Sequence, residues 1–489
     1  MDAGAGIGST FPERALEPLA EWIIRQRWYG GTGRAPRLRL LGSFGVPTGD
    51  PEVSAHSLLV MDEAPEAPVL YQVPVSLRRP PVDAAQHRIG ALEDGTLMFD
   101  GPHDPVVARA LLRLVLGTTR AQAAGVEVVG RPAVTDAAGR VDPDALDAHV
   151  LTGEQSNTSI IFEPRVAGTA RPVICKVYRR LHHGENPDVR LPTALAEAGS
   201  PHVPASVGAL TGTWADVGRA SGRATGHLAF AQEFLPGVED AWRVALRAAA
   251  DGRSFDGPAR ELGVATADVH ASLARAFGTR PAARERDLPA VEAWHRRLAT
   301  AVREVPSLAP QRSAIEAVYA RAEHATWPPM QRIHGDLHLG QAVAAPGRAW
   351  VLLDFEGEPL RPMQERTGDD LALRDVAGML RSFDYVAGST ARARAAAGSA
   401  APEAGPGDDP DADLRDWARV ARRAFLDGYA EVAGEDPRSH GDLLAALELD
   451  KAVYEAIYET RTRPDWVGIP LTAIDRLLAG AEAAADAAP

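Results

Sequence analysis

The chain has 489 residues, 45% of them hydrophobic and 24% charged, with a formal net charge of −14. At ~150 residues per domain this length builds two or three packed domains. The acidic balance excludes a general nucleic-acid binder, which needs clustered cations against phosphate. No apolar run reaches the ~18–20 residues that span a bilayer. The N-terminal MDAGAGIGSTFPERALEPL lacks the basic start and apolar core of a signal peptide, and the lone Cys175 has no partner for an internal disulfide. A cytoplasmic chain without membrane contact is expected, acting as a monomer or weak homodimer.

Residues 16–27 (LEPLAEWIIRQR) carry apolar side chains at helical spacing, and the glycines of RWYGGTGR end that pattern. LRLLGSF, HSLLVMD and VLYQVPVSL alternate as strands, and residues 105–123 return to helical spacing. Residues 1–128 are read as one α+β module. Strands then dominate residues 129–235, in SNTSIIFEP, RPVICKVYRRL and HLAFAQEFL, with a helix at TALAEAG. From 236 to 489 the spacing is helical, interrupted by a short β-pair in IHGDLHLGQAVAAPGRAWVLLDFE. A β-rich lobe, one connecting strand and a helical lobe holding a single hairpin predict an α+β, bilobal fold like that of the eukaryotic protein kinases, with an additional N-terminal α+β module. Residues 391–412 (ARARAAAGSAAPEAGPGDDPDA) are low in complexity and predict a surface loop.

The hairpin holds the chemistry. Phosphoryl transfer needs a carboxylate beside the attacking hydroxyl and metal ligands near the phosphates. Kinases place an Asp in a catalytic loop, a metal-binding amide five residues later and a second Asp on the following strand. In His334-Gly-Asp336-Leu-His-Leu-Gly-Gln341, Asp336 and Gln341 have that offset, and Asp354-Phe355-Glu356 follows a strand-turn-strand pattern. Asp336 is the candidate catalytic carboxylate, and Gln341 and Asp354 are candidate Mg²⁺ ligands through oxygen, the donor Mg²⁺ prefers. His334 and His338 are expected to brace the loop. A His/Asp/His transition-metal site is the rival reading of HGDLH, but it leaves Gln341 and Asp354 unexplained.

Only Lys176 and Lys451 are lysines among the 52 lysine and arginine residues. A point-charge ammonium and an arginine fork are not interchangeable, so both positions are candidate functional sites. Lys176 lies in the strand VICKVYRRL after the small polar turn Gly153-Glu-Gln-Ser156-Asn157-Thr158-Ser, which offers backbone N–H groups to phosphates. A helix acid, Asp188 or Glu197, is expected to pair with it. Gln232-Glu233-Phe234-Leu235 fits a connecting strand that binds adenine, and Asp240 is placed to reach the ribose. Lys451 lies in LLAALELDKAVYEAIYETRTR (443–463), where helical spacing groups Glu448, Lys451, Glu455 and Glu459 as candidate acceptor ligands, with Trp466 following. Arg374-Asp375 and Arg381 to Tyr385 form another pocket wall or only packing.

GEQSNTS, KVYRRL, HGDLHLGQ, LDFEGEP, RDVAGMLRSFDY and DKAVYEAIYETRTRPDW together resemble the actinobacterial maltokinase-like kinases, a branch of the aminoglycoside-phosphotransferase group of kinase-like folds. The resemblance covers most of residues 150–470, and RQRWYGGTGR is similar to that family's N-terminal cap. It implies ATP and Mg²⁺ as cofactors, Asp336 as catalytic Asp, Gln341 and Asp354 on Mg²⁺, Lys176 on ATP and the helix from Glu448 to Glu459 on the sugar. Family members make maltose 1-phosphate from maltose or glucosamine 6-phosphate from glucosamine. Asn186-Pro-Asp188-Val-Arg190 departs from the Asn-Pro-Asp/Glu-x-Glu of maltokinases, and VICKVYRRLHHGENPDV is similar to the glucosamine kinase branch. Glucosamine is therefore the expected acceptor and maltose the alternative. A non-catalytic kinase-like binding module is a distant third, opposed by the retention of Asp336, Gln341, Asp354 and Lys176 together.

Overall fold

The computed structural model describes residues 11, 15–31, 33–80, 86–118, 120–123, 125–134, 141–151, 157–168, 170–358, 361–398 and 411–486. The chain divides into two compact units, Met1–Glu197 with Pro204–Pro236, and Ala198–Val203 with Gly237–Pro489.

In the first unit, α1 (Leu16–Ile23) precedes β1 (Leu38–Gly45), β2 (Ser54–Asp62), β3 (Val69–Arg78), β4 (Arg88–Ala91) and β5 (Leu97–Asp100). These strands form an antiparallel sheet in the order β1-β2-β3-β5-β4. The period-2 alternation of β2 sends Leu58 and Val60 to one face, where Leu19, Trp22 and Ile23 of α1 cover them. Leu59 goes to the other face and joins a second core.

That second core is shared with the remainder of the unit. After α2 (Pro105–Leu116) come β6 (Arg120–Ala123), β7 (Val126–Pro132), β8 (Leu146–Val150), β9 (Asn157–Pro164), β10 (Val173–Tyr178), α3 (Pro187–Glu197), β11 (Ser206–Ala215) and β12 (Arg223–Glu233). The strands pair antiparallel in the order β6-β7-β11-β12-β10-β9-β8. Val107, Leu111 and Leu112 of α2 pack with Phe162, Val177 and Leu228 of this sheet and with Phe44 and Leu59 of the first. The expected limit between residues 128 and 129 therefore falls inside β7, and α2 serves the larger sheet. Hydrophobic alternation marks a strand but not the sheet it joins. Helix α3 starts at Pro187, earlier than the TALAEAG stretch suggested: Asn186 accepts the Asp188 N–H at 3.0 Å through its side chain, and Pro187 suits a first helical turn.

In the second unit, β13 (Glu239–Asp240), α4 (Ala241–Ala250), α5 (Asp256–Phe277), β14 (Thr279–Arg280), α6 (Arg284–Glu304), α7 (Arg312–His324) and β15 (Met330–Gln331) lead to the hairpin strands β16 (Ala342–Ala344) and β17 (Trp350–Leu352). Helices α8 (Met363–Arg366), α9 (Ala372–Ala396), α10 (Ala412–Ala433), α11 (Gly441–Thr462) and α12 (Gly468–Asp486) follow. Strands β13, β16 and β17 form a small sheet, and His202 extends its edge by accepting the Leu352 N–H at 2.8 Å. Helices α5 and α10 cross with their backbones nearly touching, because a Cβ on Gly263 would lie 2.1 Å from the Phe425 carbonyl oxygen and one on Gly428 would lie 2.0 Å from that of Arg260. The loop expected over 391–412 is helical to Ala396 and again from Ala412; residues 399–410 lie outside the described residues.

Candidate active site

The β16–β17 hairpin forms as its sequence demands. Pro346-Gly347 turns the chain, with Gly347 at φ +70°, and Val343 pairs with Val351. The Leu353 N–H then donates to the Gln341 carbonyl at 2.8 Å. This closes Asp354 onto Gln341, whose Nε2 donates to Asp354 Oδ2 at 3.1 Å. Asp354 is held at φ +64°, a left-handed conformation rare for a non-glycine residue and costly unless its surroundings enforce it. An amide and a carboxylate brought together by fourteen residues of hairpin (341–354) present the hard oxygen donors that suit Mg²⁺.

Asp336 sits in the loop before this hairpin, and the loop is pinned from below. Asp375, near the start of α9, accepts the His334 N–H at 2.8 Å and the Gly335 N–H at 2.9 Å. The same carboxylate takes His270 Nε2 at 2.9 Å, and the Tyr429 hydroxyl meets His270 Nδ1 at 2.9 Å. His334 directs Nε2 to the Leu353 carbonyl at 2.8 Å and must donate there, leaving Nδ1 to accept the Asp336 N–H at 3.4 Å. Its ring also packs on Phe355, centroid to centroid 4.5 Å. His338 accepts the Gly340 N–H through Nδ1 at 3.1 Å. Both imidazoles brace the loop, and His334, with both ring nitrogens engaged, is taken from the ligand set that the transition-metal reading of HGDLH requires. Asp375, read in sequence as wall or packing, is the loop's anchor.

Lys451 of α11 reaches the loop from the far end of the unit. Its Nζ lies 2.9 Å from Asp336 Oδ1 and 2.7 Å from Glu358 Oε1, and 5.0 Å from the Tyr454 ring centroid. Burial pushes the Asp336 and Glu358 carboxyls up, but Lys451 together with His338 and His334 beside Asp336, and with Arg297 and Arg374 beside Glu358, holds both below the usual carboxylate range. Burial works against the Lys451 charge, and the two carboxylates overcome it and raise the ammonium pKa. Behind them, Asp450 pairs with Arg297 and lies 3.6 Å from Arg374, and Arg374 and Arg361 hold Asp370, whose carboxyl settles at about 2 because the two guanidiniums exceed its burial penalty. Glu358 was not foreseen. Its signal was its place in LDFEGEP, two residues after Glu356.

The other acceptor candidates turn to different partners. Glu448 pairs with Arg422 at 2.8 Å, Glu455 with Arg381 at 2.7 Å and Glu459 with Arg463 at 2.5 Å, the last also accepting from the Tyr385 hydroxyl. Burial raises the Glu455 carboxyl even against Arg381. Trp466 lies beneath the Arg463 guanidinium, 4.6 Å from its centroid. Helical spacing put these groups on one helix as expected, but of the four Glu448–Glu459 candidates it is Lys451 that touches Asp336.

Lys176 and Asp188 are joined in the first unit. Lys176 Nζ lies 2.9 Å from Asp188 Oδ2, and the Tyr178 hydroxyl donates to the same oxygen at 3.1 Å. The choice between Asp188 and Glu197 thus falls to Asp188, because α3 begins where its first turn faces β10. Asn157 and Thr158 open β9, paired with Tyr178 and Val177; Ser156 lies outside the described residues. Gln232 and Glu233 end β12, and the N–H groups of Glu233 and Phe234 donate to Ala205 and Pro172 at 2.8 and 2.9 Å. Leu235 follows, half-buried. In the second unit, Asp240 caps α4, accepting the Arg243 N–H at 2.8 Å.

Comparison with known proteins follows the same outline. Residues 151–412 match the phosphotransferase enzyme family and residues 22–104 match the maltokinase N-terminal cap domain. A glucosamine kinase of Streptacidiphilus jiangxiensis is 33% identical over 304 residues, 58% of this chain and 64% of that protein. A glucosamine kinase of Mycolicibacterium smegmatis is 31% identical over 263 residues, 50% of this chain and 61% of that protein. The matches span slightly under two thirds of these relatives' lengths. Among solved structures, a glucosamine kinase in complex with glucosamine, ADP and inorganic phosphate superposes with a TM-score of 0.64 at 24% identity, covering 94% of this chain and 99% of that one. Another crystal form gives 0.64 at 25% identity, covering 94% and 98%. The fold is the α+β, bilobal kinase-like fold with an N-terminal cap. Among the described residues no helix is long and apolar enough to cross a membrane.

Proposed function

Because the chain belongs to the phosphotransferase enzyme family, we propose that it transfers the γ-phosphoryl group of ATP to a sugar hydroxyl, with D-glucosamine as acceptor and D-glucosamine 6-phosphate as product. The observation that carries this reading is the Asp336 carboxylate, held ionised by Lys451 at 2.9 Å in the loop that leads directly to the Gln341–Asp354 pair. Glucosamine is supported by the relatives' named activity.

Lys451 holds Asp336 Oδ1, and Oδ2 is assigned to the acceptor. The acceptor oxygen forms a bond to the γ-phosphorus as the bond from that phosphorus to the β–γ bridging oxygen breaks. ADP leaves with the bridging oxygen, and the hydroxyl proton passes late to Asp336. Gln341 and Asp354 would hold Mg²⁺, which supplies positive charge against the phosphate oxygens. Lys176, fixed by Asp188, grips the α- and β-phosphates, with Asn157 and Thr158 at the start of β9. With the Glu233 and Phe234 N–H groups already bonded, adenine is assigned to the Leu235 backbone. In this reading the chain comprises a cap, a nucleotide lobe and a helical acceptor lobe.

The cap match favours maltose phosphorylation as the second reading. A coupled ADP-release assay over glucosamine, glucose, maltose and aminoglycosides separates them. Glucosamine is expected to give the highest kcat/KM. Turnover of maltose without glucosamine rejects the first reading, and ligand binding without any Mg²⁺-dependent turnover rejects both.

A further inference from the structure

Building on that nucleotide-side reading, we infer that Arg179 is a positioning residue for the ATP phosphates, through which the N-terminal cap holds the β9–β10 hairpin in place. Arginine is this chain's default cation, so its mere presence carries no weight. Its surroundings do. Arg179 follows β10 three residues after Lys176 and is 0% exposed. Its Nη2 meets both oxygens of Asp100, the last residue of β5 in the cap sheet, at 2.8 and 2.8 Å. Its Nε donates to Thr158 Oγ1 at 2.8 Å, on the second residue of β9. Its guanidinium stacks on Trp28 of the cap, 4.9 Å from the ring centroid.

The backbone repeats the connection. The Arg179 carbonyl accepts the Gln72 N–H, and the Leu181 N–H donates to the Leu70 carbonyl, each at 2.8 Å. The chain that leaves β10 therefore runs directly along β3 of the cap. Thr158 and Val177 face each other in the β9–β10 ladder, and Ser159 faces Lys176. One fork thus spans cap, strand β9 and the end of the lysine strand.

Burial makes this a rigid link. Nη1 of Arg179 is buried without a hydrogen-bond partner among the described residues. The charge therefore depends on Asp100 for its neutralisation, and the pair resists separation because either partner alone would be a desolvated charge. Thr158 has its hydroxyl fixed by the same guanidinium, so the open end of the hairpin cannot shift without breaking it. Displacements of about 1 Å at a reacting group are enough to cost a large factor in rate. A lysine at this position would supply the charge but not the Nε donor beside the Nη2 fork.

The test uses the full-length chain with R179K and the uncharged pair D100N/R179Q, measuring Tm, kcat and KM for ATP and for the sugar. R179K keeps a charge for Asp100 and D100N/R179Q removes both charges, so at least one is expected to fold. In each folded variant KM for ATP is expected to rise about tenfold while KM for the sugar stays within about twofold. A lowered Tm with unchanged KM for ATP in the folded variants overturns the inference, leaving Arg179 a purely structural rivet. K176M separates the two levels. Loss of ATP use in K176M beside unchanged Arg179 variants rejects this inference alone, whereas unchanged ATP use in K176M rejects the nucleotide-side reading beneath it.

Discussion

Lys451 Nζ and Asp336 Oδ1 stand 2.9 Å apart, joining α11 to a loop residue 115 positions earlier in the chain. The ammonium is shared with Glu358 at 2.7 Å, so one cation neutralises two carboxylates, Glu358 buried and Asp336 half-buried. The folded pKa values of both acids are depressed. Their stabilising contribution is therefore complete above the ordinary carboxylate range, about pH 4, and is lost as pH falls through the depressed values. Lys451 is raised, so its contribution is complete below about pH 10 and is lost only above. Removing the lysine takes away the largest of the interactions that oppose the burial penalty on Asp336. In K451M the acid limb of the kcat–pH profile is expected to move upward by about one unit or more. A pH–rate series on folded enzyme checks this, and an unmoved limb would remove Lys451 from control of Asp336.

Asp336→Asn keeps the shape of the side chain but cannot take the acceptor proton. Turnover is expected to fall by roughly 10²–10⁴-fold, with ATP affinity nearly unchanged because the loop geometry is set by Asp375 and His334 rather than by Asp336. Steady-state kinetics beside nucleotide titration measure both. Near-normal turnover would sink the assignment.

Asp188→Asn tests the lysine clamp. The buried Lys176 ammonium loses its paired charge, and the Tyr178 hydroxyl loses its strongest acceptor. KM for ATP should rise about tenfold or more, with KM for the sugar little changed. A rise confined to the sugar would place this pair elsewhere in the mechanism.

Asp375→Ala removes the acceptor for the His334 and Gly335 N–H groups and for His270, all in the same buried region. Leaving such donors unsatisfied costs about 3–5 kcal/mol. Urea unfolding should show that loss, and turnover of the folded fraction should drop as the Asp336 loop loosens. Wild-type stability in this variant contradicts the anchoring role.

His227 ties acid stability to the start of α3. Its Nδ1 accepts the Asn186 N–H at 3.2 Å, just before α3. Burial lowers its pKa to about 4, so protonation breaks that bond. The unfolded chain binds the proton from about pH 6.5 downward while the folded chain does so only near 4, and stability falls with pH across this window. His227→Asn should flatten the fall by about 2 kcal/mol. Urea midpoints at pH 7 and 4.5 for both proteins decide it, and equal losses would clear His227.

Much of the local structure was legible because it is encoded by neighbours. The hairpin follows from AVAAPGRAWVLL, where apolar triplets flank a Pro-Gly turn, and it brings Gln341 close to Asp354. The two lysines stood out by composition, and both proved to be paired with acids, Lys176 buried and Lys451 half-buried. Helical spacing also placed Glu448, Lys451, Glu455 and Glu459 on one helix, but spacing cannot say which arginines from other helices will meet them. Three of the four are met by Arg422, Arg381 and Arg463.

What the sequence by itself determined is the set of short-range arrangements: the Asp336 loop, the hairpin, the lysine strand and the order of β-rich and helical regions. These rest on turn chemistry and hydrophobic period, which act over a few residues. Tertiary structure alone decided that Lys451 closes on Asp336 and Glu358, that Asp375 carries the loop, that Asp188 rather than Glu197 meets Lys176, and that α2 and the cap share a core with the larger sheet. Each of those joins residues of different elements through a charge or an apolar face, and such a group accepts any partner of the right sign or shape until the packing of the whole fold supplies one.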